Sequence, residues 1–237
     1  MDTSSIHETA QAKEAWERIV RYVERVPTLP QCVFALQREA ANPKATAASI
    51  GRIIARDQAL TSRVLRVVNS AHYGLGRRVK NVAEAVALLG FKKVRALVYT
   101  LSLGDIFAAR PLPGGLNRTD LWRHAVATAA AARELASLAH GIEPETAFTA
   151  GILHDIGKVV LEQYAHAEFA PVVQRAQRKP APLIEVEIEV LGVSHAHVGR
   201  LLLTRWHFPD DLVAAVARHH SPSSLSQHYP LTWCVHV

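Results

Sequence analysis

The sequence predicts an all-α protein made of two helical lobes that are divided near residue 114. Apolar residues recur at intervals of three and four through most of the chain, as they do along one face of a helix. The sequence has no Asn-Gly hairpin turn and no sustained alternation of apolar and polar residues. The stretch AARPLPGGLNRTD, residues 108–120, is rich in Pro and Gly and gives the clearest internal break.

The composition is that of an ordered globular protein. Of 237 residues, 49% are apolar and 20% are charged, and no low-complexity tract interrupts them. A chain of this length and composition can bury a substantial core. We expect a lead helix in residues 1–25, an N-terminal helical lobe in residues 26–113 and a C-terminal helical lobe in residues 114–237.

Capping residues mark the helices of the N-terminal lobe. The lead helix ends at the stretch VPTLP, because proline cannot continue a helix. Asp57 is placed to cap a later helix. Asn81 and Glu84 have the spacing of a capping box ahead of the next helix, and Gly90 is suited to end it.

The C-terminal lobe has similar boundary signals. Thr119 is expected to cap a long Ala-rich helix that ends near Gly141. Pro144 suits the first turn of the following helix. Pro209 precedes two aspartates and opens another helix, since negative charge is favourable at a helix N-terminus.

No segment is expected to cross a membrane or to direct export. The longest apolar runs are well short of the ~18 residues that a membrane span needs. The N-terminus lacks the basic start and apolar block of a signal peptide. The two cysteines, Cys32 and Cys234, are far apart and match no metal or redox spacing. We therefore expect a reduced cytoplasmic protein with no membrane partner.

Positive charge is concentrated in residues 52–95. The net charge of the chain is +6, but this segment alone has ten lysines and arginines against two acidic residues, for +8. Arg77, Arg78, Lys80, Lys92 and Lys93 form its candidate surface for an acidic partner. A signalling protein, a nucleotide or a nucleic acid could bind there, or the residues could form a solvated helix face. No DNA-reading motif favours nucleic acid.

The stretch GILHDIGK, residues 151–158, places His154 directly before Asp155 in an apolar segment. Burying such a pair costs free energy unless each member has a partner. The pair could be hydrogen-bonded in a core, or it could bind a divalent metal such as Mn, Fe, Ni or Zn with His124. Sharing a metal would require the pair to lie at a helix end or bend. Lys158, one turn later, could contact a phosphate oxygen.

Several stretches carry a resemblance to a known family. RHAVATAAAARELA, AFTAGILHDIGKVVL and SHAHVGRLLLTRWHFPDDLVAAVARHH resemble the HD superfamily of metal-dependent phosphohydrolases. VPTLP, IARDQALTSRVLRVVNSAHYGL and VAEAVALLGFKKVRALV narrow the resemblance to the HDOD family, the HD-related output domain of bacterial signalling proteins. The resemblance extends from about Val26 to His220 and implies an HD-like helical bundle in the C-terminal lobe.

The resemblance also implies a set of metal ligands. Six positions match ligands of HD and HD-GYP enzymes: His124 for the first histidine, His154 and Asp155 for the doublet, and His195, His219 and His220 for the later histidines. Asp120 could stand where HD-GYP enzymes carry an additional acidic ligand, or it could be a capping charge near a helix start.

Two features of the related hydrolases are missing. HD enzymes close the site with a later aspartate, but residues 212–237 contain no Asp or Glu. The glycine-tyrosine-proline signature of cyclic-di-GMP hydrolases is also absent after the paired histidines. The chain ends on LTWCVHV, an uncapped apolar pattern, so we expect the C-terminal lobe to be truncated. A longer parent chain could supply the aspartate.

The leading hypothesis is a bacterial signal-transduction or regulatory module that binds a protein or a nucleotide ligand and carries a degenerate HD-type site. The alternative is a metal-dependent phosphohydrolase or phosphodiesterase, with Lys158 contacting the phosphate. The missing aspartate and signature favour a non-enzymatic role. Signalling proteins are the expected partners, and a nucleotide or cyclic dinucleotide is a candidate ligand. Nucleic-acid binding is a third hypothesis, which salt-sensitive binding to DNA would support.

Overall fold

A computed structural model of the chain describes residues 14, 16–40, 42–107, 112–178, 181–222 and 229–236. All regular structure within these ranges is helical and none of it is strand, which confirms the all-α fold. Among the described helices, none combines the length and the apolar character needed to span a bilayer. The lead helix expected in residues 1–25 is described from residue 16, and residues 16–25 form helix α1.

The chain divides into two compact units. Thr28–Ile106 forms the N-terminal unit, and Met1–Pro27 together with Phe107–Val237 forms the C-terminal unit. Helix α1 therefore belongs to the same unit as the helices that follow residue 107. The domain boundaries expected from the sequence, after residues 25 and 113, remain predictions.

The N-terminal unit is built from five successive helices. They are α2 (Gln31–Ala40), α3 (Ala47–Ala55), α4 (Gln58–Val68), α5 (Val82–Leu89) and α6 (Phe91–Phe107), the last of which ends in the other unit. Their inward faces bury Val33, Leu36, Ile54, Val64 and Val94 completely. Full burial of one such side chain stabilises the fold by about 1.5–3 kcal/mol.

The predicted caps of α4 and α5 are confirmed. The Asp57 carboxylate accepts a hydrogen bond from Leu60 N at 2.9 Å, and Gly90 ends α5 with a φ of 85°. Asn81 Oδ1 accepts from Glu84 N at 2.9 Å. The second half of the predicted capping box differs, because Glu84 Oε2 accepts from Lys80 N at 3.0 Å, one residue before the cap.

Asn69 fixes the loop that joins α4 to α5. Its Nδ2 donates to Leu65 O and to Val79 O, both at 2.9 Å, while Val79 N donates to Asn69 Oδ1 at 2.7 Å. The Val79 side chain is buried beneath this contact. The returning part of the loop is therefore held against the C-terminal end of α4 by a reciprocal pair of hydrogen bonds.

The C-terminal unit contains α1 and the remaining helices. These are α7 (Arg118–Leu138), α8 (Pro144–Leu153), α9 (Ile156–Tyr164), α10 (His166–Arg178), α11 (Leu183–Leu191), α12 (His195–Arg205), α13 (Asp210–Arg218) and α14 (Tyr229–Cys234). Helix α7 packs along α8, and α12 packs between α9 and α13. A buried ion pair between Arg118 and Glu162 joins α7 to α9.

The predicted cap of α7 is wrong by two residues. Asn117, not Thr119, caps the helix, and its Oδ1 accepts from Thr119 N at 3.1 Å and from Asp120 N at 3.3 Å. Both residues are good N-caps, but only Asn117 has the extended backbone that a cap needs, and Thr119 lies inside the first turn. Pro144 lies in the first turn of α8, and Pro209 directly precedes α13, as predicted.

Two glycines, one before and one after the His154–Asp155 pair, permit close helix packing. A Cβ at Gly151 would lie 2.7 Å from Ala129 N in α7. A Cβ at Gly157 would overlap the backbone oxygen of His195 and would lie 2.8 Å from Gly199 N in α12. Because these neighbours are backbone atoms, they cannot rotate away as a flexible side chain could. Glycine at both positions brings α8 and α9 against their partner helices.

We expect Gly157→Ala to destabilise the protein by about 1–3 kcal/mol or more, because the added methyl group would force α9 away from α12. Gly76→Ala is the matched control, since a Cβ at Gly76 meets no atom within 4 Å. The control should change stability by no more than about 0.5 kcal/mol. Urea unfolding followed by circular dichroism would measure both variants. Equal stability of the two would contradict the close packing of α9 on α12.

Candidate metal centre

The HD doublet lies where one helix ends and the next begins. Helix α8 ends at Leu153 and α9 begins at Ile156, so His154 and Asp155 occupy the junction. Each of the two side chains is 1% exposed. The position at a helix end is the one expected for a doublet that acts at a single site. Because the regular helical turn is interrupted there, both side chains reach the same interior cluster.

The six side chains predicted as ligands from the sequence form one cluster, in which five histidines surround Asp155. They form two groups with metal-ligand spacing that share this carboxylate: His124, His154 and Asp155 in one, and Asp155, His195, His219 and His220 in the other. Within each group, one ligand atom from every residue lies within 4.8 Å of the others. Helices α7 and α12, the junction of α8 with α9, and the two residues that follow α13 thus contribute to one cluster.

In the first group, the donor atoms surround Asp155 Oδ2. His154 Nε2 lies 3.3 Å from this oxygen and His124 Nε2 lies 3.5 Å from it. The two imidazole nitrogens are 3.0 Å apart. His124 is the most exposed of the three side chains, with 40% of its surface accessible, so solvent reaches this group through His124.

In the second group, the donor atoms surround the other oxygen, Asp155 Oδ1. His195 Nε2 lies 3.3 Å from it and His219 Nε2 lies 3.7 Å from it. His195 Nε2 is also 3.2 Å from His219 Nε2 and 3.0 Å from His220 Nε2. The two oxygens of one carboxylate therefore face two separate sets of imidazoles.

The outer nitrogens of the imidazoles fix their protonation. His154 Nδ1 lies 2.7 Å from Gly151 O, and His219 Nδ1 lies 2.8 Å from Val216 O. A carbonyl oxygen can only accept, so Nδ1 carries a proton, and in the neutral imidazole Nε2 is then the nitrogen whose lone pair can bind a metal. Lone pairs facing one another and a carboxylate repel unless a cation lies between them. The donor set therefore fits a divalent metal such as Fe, Mn, Ni or Zn.

Burial favours the neutral, metal-binding form of three of these imidazoles, those of His195, His219 and His220. It lowers the pKa of His195 well below the usual value, lowers that of His219, and with the charge of neighbouring histidines lowers the pKa of His220 to about 3. Burial alone would raise the pKa of Asp155, but the charges of His154 and Lys158 hold it well below its ordinary value. Asp155 is thus a carboxylate, and its Oδ1 accepts no hydrogen bond from the described residues.

Glu187 contacts His195 on the side of the ring that faces away from Asp155, and this residue was not predicted from the sequence. This fully buried residue of α11 accepts from His195 N at 2.8 Å, and its Oε2 lies 2.6 Å from His195 Nδ1. Burial raises the pKa of Glu187 to about 8. The only sequence signal is a glutamate eight residues before His195, and its neighbours Glu185 and Glu189 have the same side chain on an exposed face. Spacing alone cannot separate the three.

Two other predicted residues lie at or near this cluster. Lys158 Nζ is 2.7 Å from Asp155 Oδ2, so the ammonium group faces the carboxylate, and its contact with a phosphate remains a prediction. Asp120 pairs with Arg123 at 3.3 Å on an exposed part of α7. It belongs to neither ligand group of the described residues, and its position in the first turn of α7 fits a capping charge.

The basic residues predicted to bind a partner lie in the N-terminal unit. Arg77, Arg78 and Lys80 are in the loop between α4 and α5, and they line a cavity. Lys92 and Lys93 are in the first turn of α6 and do not belong to the lining of that cavity.

An all-α fold with a histidine-rich cluster around a His-Asp doublet defines a module of the HD superfamily. The sequence matches the HDOD domain over residues 26–222, and the chain belongs to the HDOD family. The predicted family and the HD-like bundle are confirmed.

Solved structures and relatives agree with this assignment. An HDOD domain protein of unknown function from Geobacter sulfurreducens is 25% identical, with a TM-score of 0.78 over 92% of this chain and 77% of that one. A candidate phosphohydrolase from Shewanella amazonensis is 30% identical, with a TM-score of 0.74 and the same coverage. An uncharacterised protein of Treponema pallidum is 27% identical to this chain over 88% of the chain's length. The matched part is only 40% of that relative's length.

We expect Glu187→Gln to weaken metal binding by about 10–100-fold, because the residue orients His195 through its Nδ1 nitrogen. Glu185→Gln, an exposed change on the same helix, is the matched control and should bind metal as the unchanged chain does. Competition with a chromophoric chelator would measure both affinities. A wild-type affinity in Glu187→Gln, with unchanged folding, would contradict this supporting role.

Proposed function

We propose that the C-terminal unit binds two divalent metal ions and, on them, a phosphorylated ligand, as part of a bacterial signalling module. The observation that supports this most is the position of Asp155, whose two oxygens face different groups of imidazoles. One ion would be held by His124, His154 and Asp155. The other would be held by Asp155 and the three later histidines, His195, His219 and His220.

The charges of the ligand set favour an anionic ligand. Asp155 is the one carboxylate in the two ligand groups of the described residues, and burial lowers the pKa of His124, His195, His219 and His220, which disfavours their charged forms. Two dications carry more positive charge than one carboxylate can offset, and Lys158 adds a further cation. A phosphate group supplies several oxygens and the missing negative charge, so it suits this site better than a neutral molecule does.

A regulatory role is supported by the family resemblance and by what the ligand set lacks. The chain belongs to the HDOD family, which is related to output domains of bacterial signalling proteins, and the two ligand groups of the described residues share a single carboxylate. With fewer carboxylates to hold the metals and to accept protons, the site is better equipped to bind a phosphorylated ligand than to turn it over. Signalling-protein partners and a cytoplasmic location remain predictions.

Hydrolysis is the second candidate function, and the buried His195–Glu187 pair favours it. Such carboxylate–histidine pairs support the ligands of catalytic metal sites. The likeness to the candidate phosphohydrolase of Shewanella amazonensis points the same way. Bound metals would lower the pKa of a water molecule and polarise a phosphate ester. Lys158 would then orient a phosphate oxygen near Asp155.

Elemental analysis of the purified protein should find about two equivalents of Fe, Mn, Ni or Zn per chain, as a dinuclear site of this donor type would hold. Asp155→Asn should lose both, because the carboxylate belongs to both groups, whereas His124→Ala should lose about one. His140→Ala, a change at an exposed histidine, is the control and should keep both. Retention of one equivalent by Asp155→Asn would show that the carboxylate does not join two sites.

The same preparations should hydrolyse cyclic-di-GMP and bis-p-nitrophenyl phosphate no faster than the metal-stripped protein does. The expected reason is the small number of carboxylates around the metals. Product formation would be followed by chromatography for the dinucleotide and by absorbance for the synthetic ester. Turnover that is rapid in the unchanged chain and lost in Asp155→Asn would reverse the order of the two candidate functions.

A further inference from the structure

A second concave site lies in the N-terminal unit, between α4 and the loop that leads to α5. Its volume is about 1030 Å³. Four cationic side chains line it, Arg66 from α4 and Arg77, Arg78 and Lys80 from the loop, and no acidic residue is part of its described lining. The segment 52–95, which the sequence marks as strongly basic, thus brings part of its charge together around one cavity.

Most of this charge has no partner within the described protein. Arg77 pairs with Glu84 at 2.9 Å. Arg66, Arg78 and Lys80 form no ion pair with any described residue, and all three are exposed. Like charges held close together repel, so a ligand that brings negative charge would be attracted to the cavity and would relieve the repulsion.

The cavity wall is ordered before any ligand arrives. The reciprocal hydrogen bonds between Asn69 and Val79 hold the loop on the end of α4. Arg78 and Lys80 flank Val79, whose side chain is buried. Their backbone positions are therefore fixed on both sides of an anchored residue. Such preorganisation lowers the entropy cost of binding.

The lining also offers apolar surface. Leu65 of α4 and Leu75 of the loop, both partly exposed, line the same space as the cations. Small-molecule sites usually have volumes of roughly 300–1000 Å³ and combine apolar walls with a few polar anchors. We propose that this cavity binds a phosphorylated small molecule of nucleotide size. The phosphates would contact Arg66, Arg78 and Lys80, and the rest of the ligand would lie on the leucines.

Other anionic partners fit less well. Binding of single-stranded nucleic acid relies on bases that stack on aromatic side chains, and no Phe, Tyr or Trp is part of the described lining. An acidic protein segment would match the charge but would not need a concave site with apolar walls. The proposal is independent of the metal centre, because every lining residue belongs to the other unit.

The test is calorimetric titration of the full chain with inorganic pyrophosphate and with ATP at about 0.15 M salt, where long-range charge effects are screened. EDTA is included so that the metal centre cannot bind phosphate. Both probes should bind with one site per chain, and ATP should bind at least as tightly as pyrophosphate. Arg78→Gln/Lys80→Gln should weaken both by about 10-fold or more, because charge-assisted hydrogen bonds are lost.

Lys92→Gln/Lys93→Gln is the matched control, with the same loss of charge in the same unit but outside the cavity lining. It should stay within about 2-fold of the unchanged chain in affinity, since screened charges outside the cavity contribute little. Thermal unfolding would establish that both variants fold. No binding of either probe, or equal weakening in the two variants, would overturn the proposal. A third result would also overturn it: a poly-glutamate peptide that binds more tightly than pyrophosphate and is not displaced by pyrophosphate. That result would assign the surface to an acidic protein.

Discussion

A single buried carboxylate organises the C-terminal unit. Asp155 is removed from water, and an isolated charge in such a place costs several kcal/mol of folding free energy, on the order estimated for buried ions. The surrounding elements compensate for this cost from different directions, with histidines from α7, from the junction of α8 with α9, from α12 and from the residues that follow α13, and with a lysine from α9. The packing of these helices against one another therefore decides whether the histidines reach the carboxylate.

Gly157 and the buried Glu187 position the helices and the His195 ring of this cluster. Gly157 lets the start of α9 approach the start of α12, which carries His195. Glu187 then holds the His195 ring from the opposite side. The contact of α9 with α12 and the contact of α12 with α11 thus both act on the orientation of one imidazole. The helix packing and the chemistry of the cluster cannot be separated.

Much of the fold could be predicted from local signals. Asp57 and Gly90 mark helix ends by their own chemistry, and the HD ligand positions follow from a family pattern that the sequence retains. The cap at Asn117 could not be chosen over Thr119, because both types cap well and only the backbone angle separates them. Glu187 contacts His195 eight residues later and Asn69 contacts Val79 ten residues later, and these spacings belong to no helical or capping pattern that could indicate the contacts.

The Lys158 ammonium has a consequence for the order of assembly. It faces Asp155 Oδ2 at 2.7 Å and so gives the carboxylate a counter-charge that is part of the chain. Small zinc domains need their ion in order to fold, because the free energy of metal binding is what stabilises their folded state. Here an internal cation can hold the position while the polypeptide leaves the ribosome and folds. The proposed metal ions would then enter a cluster whose carboxylate already has a counter-charge within the chain.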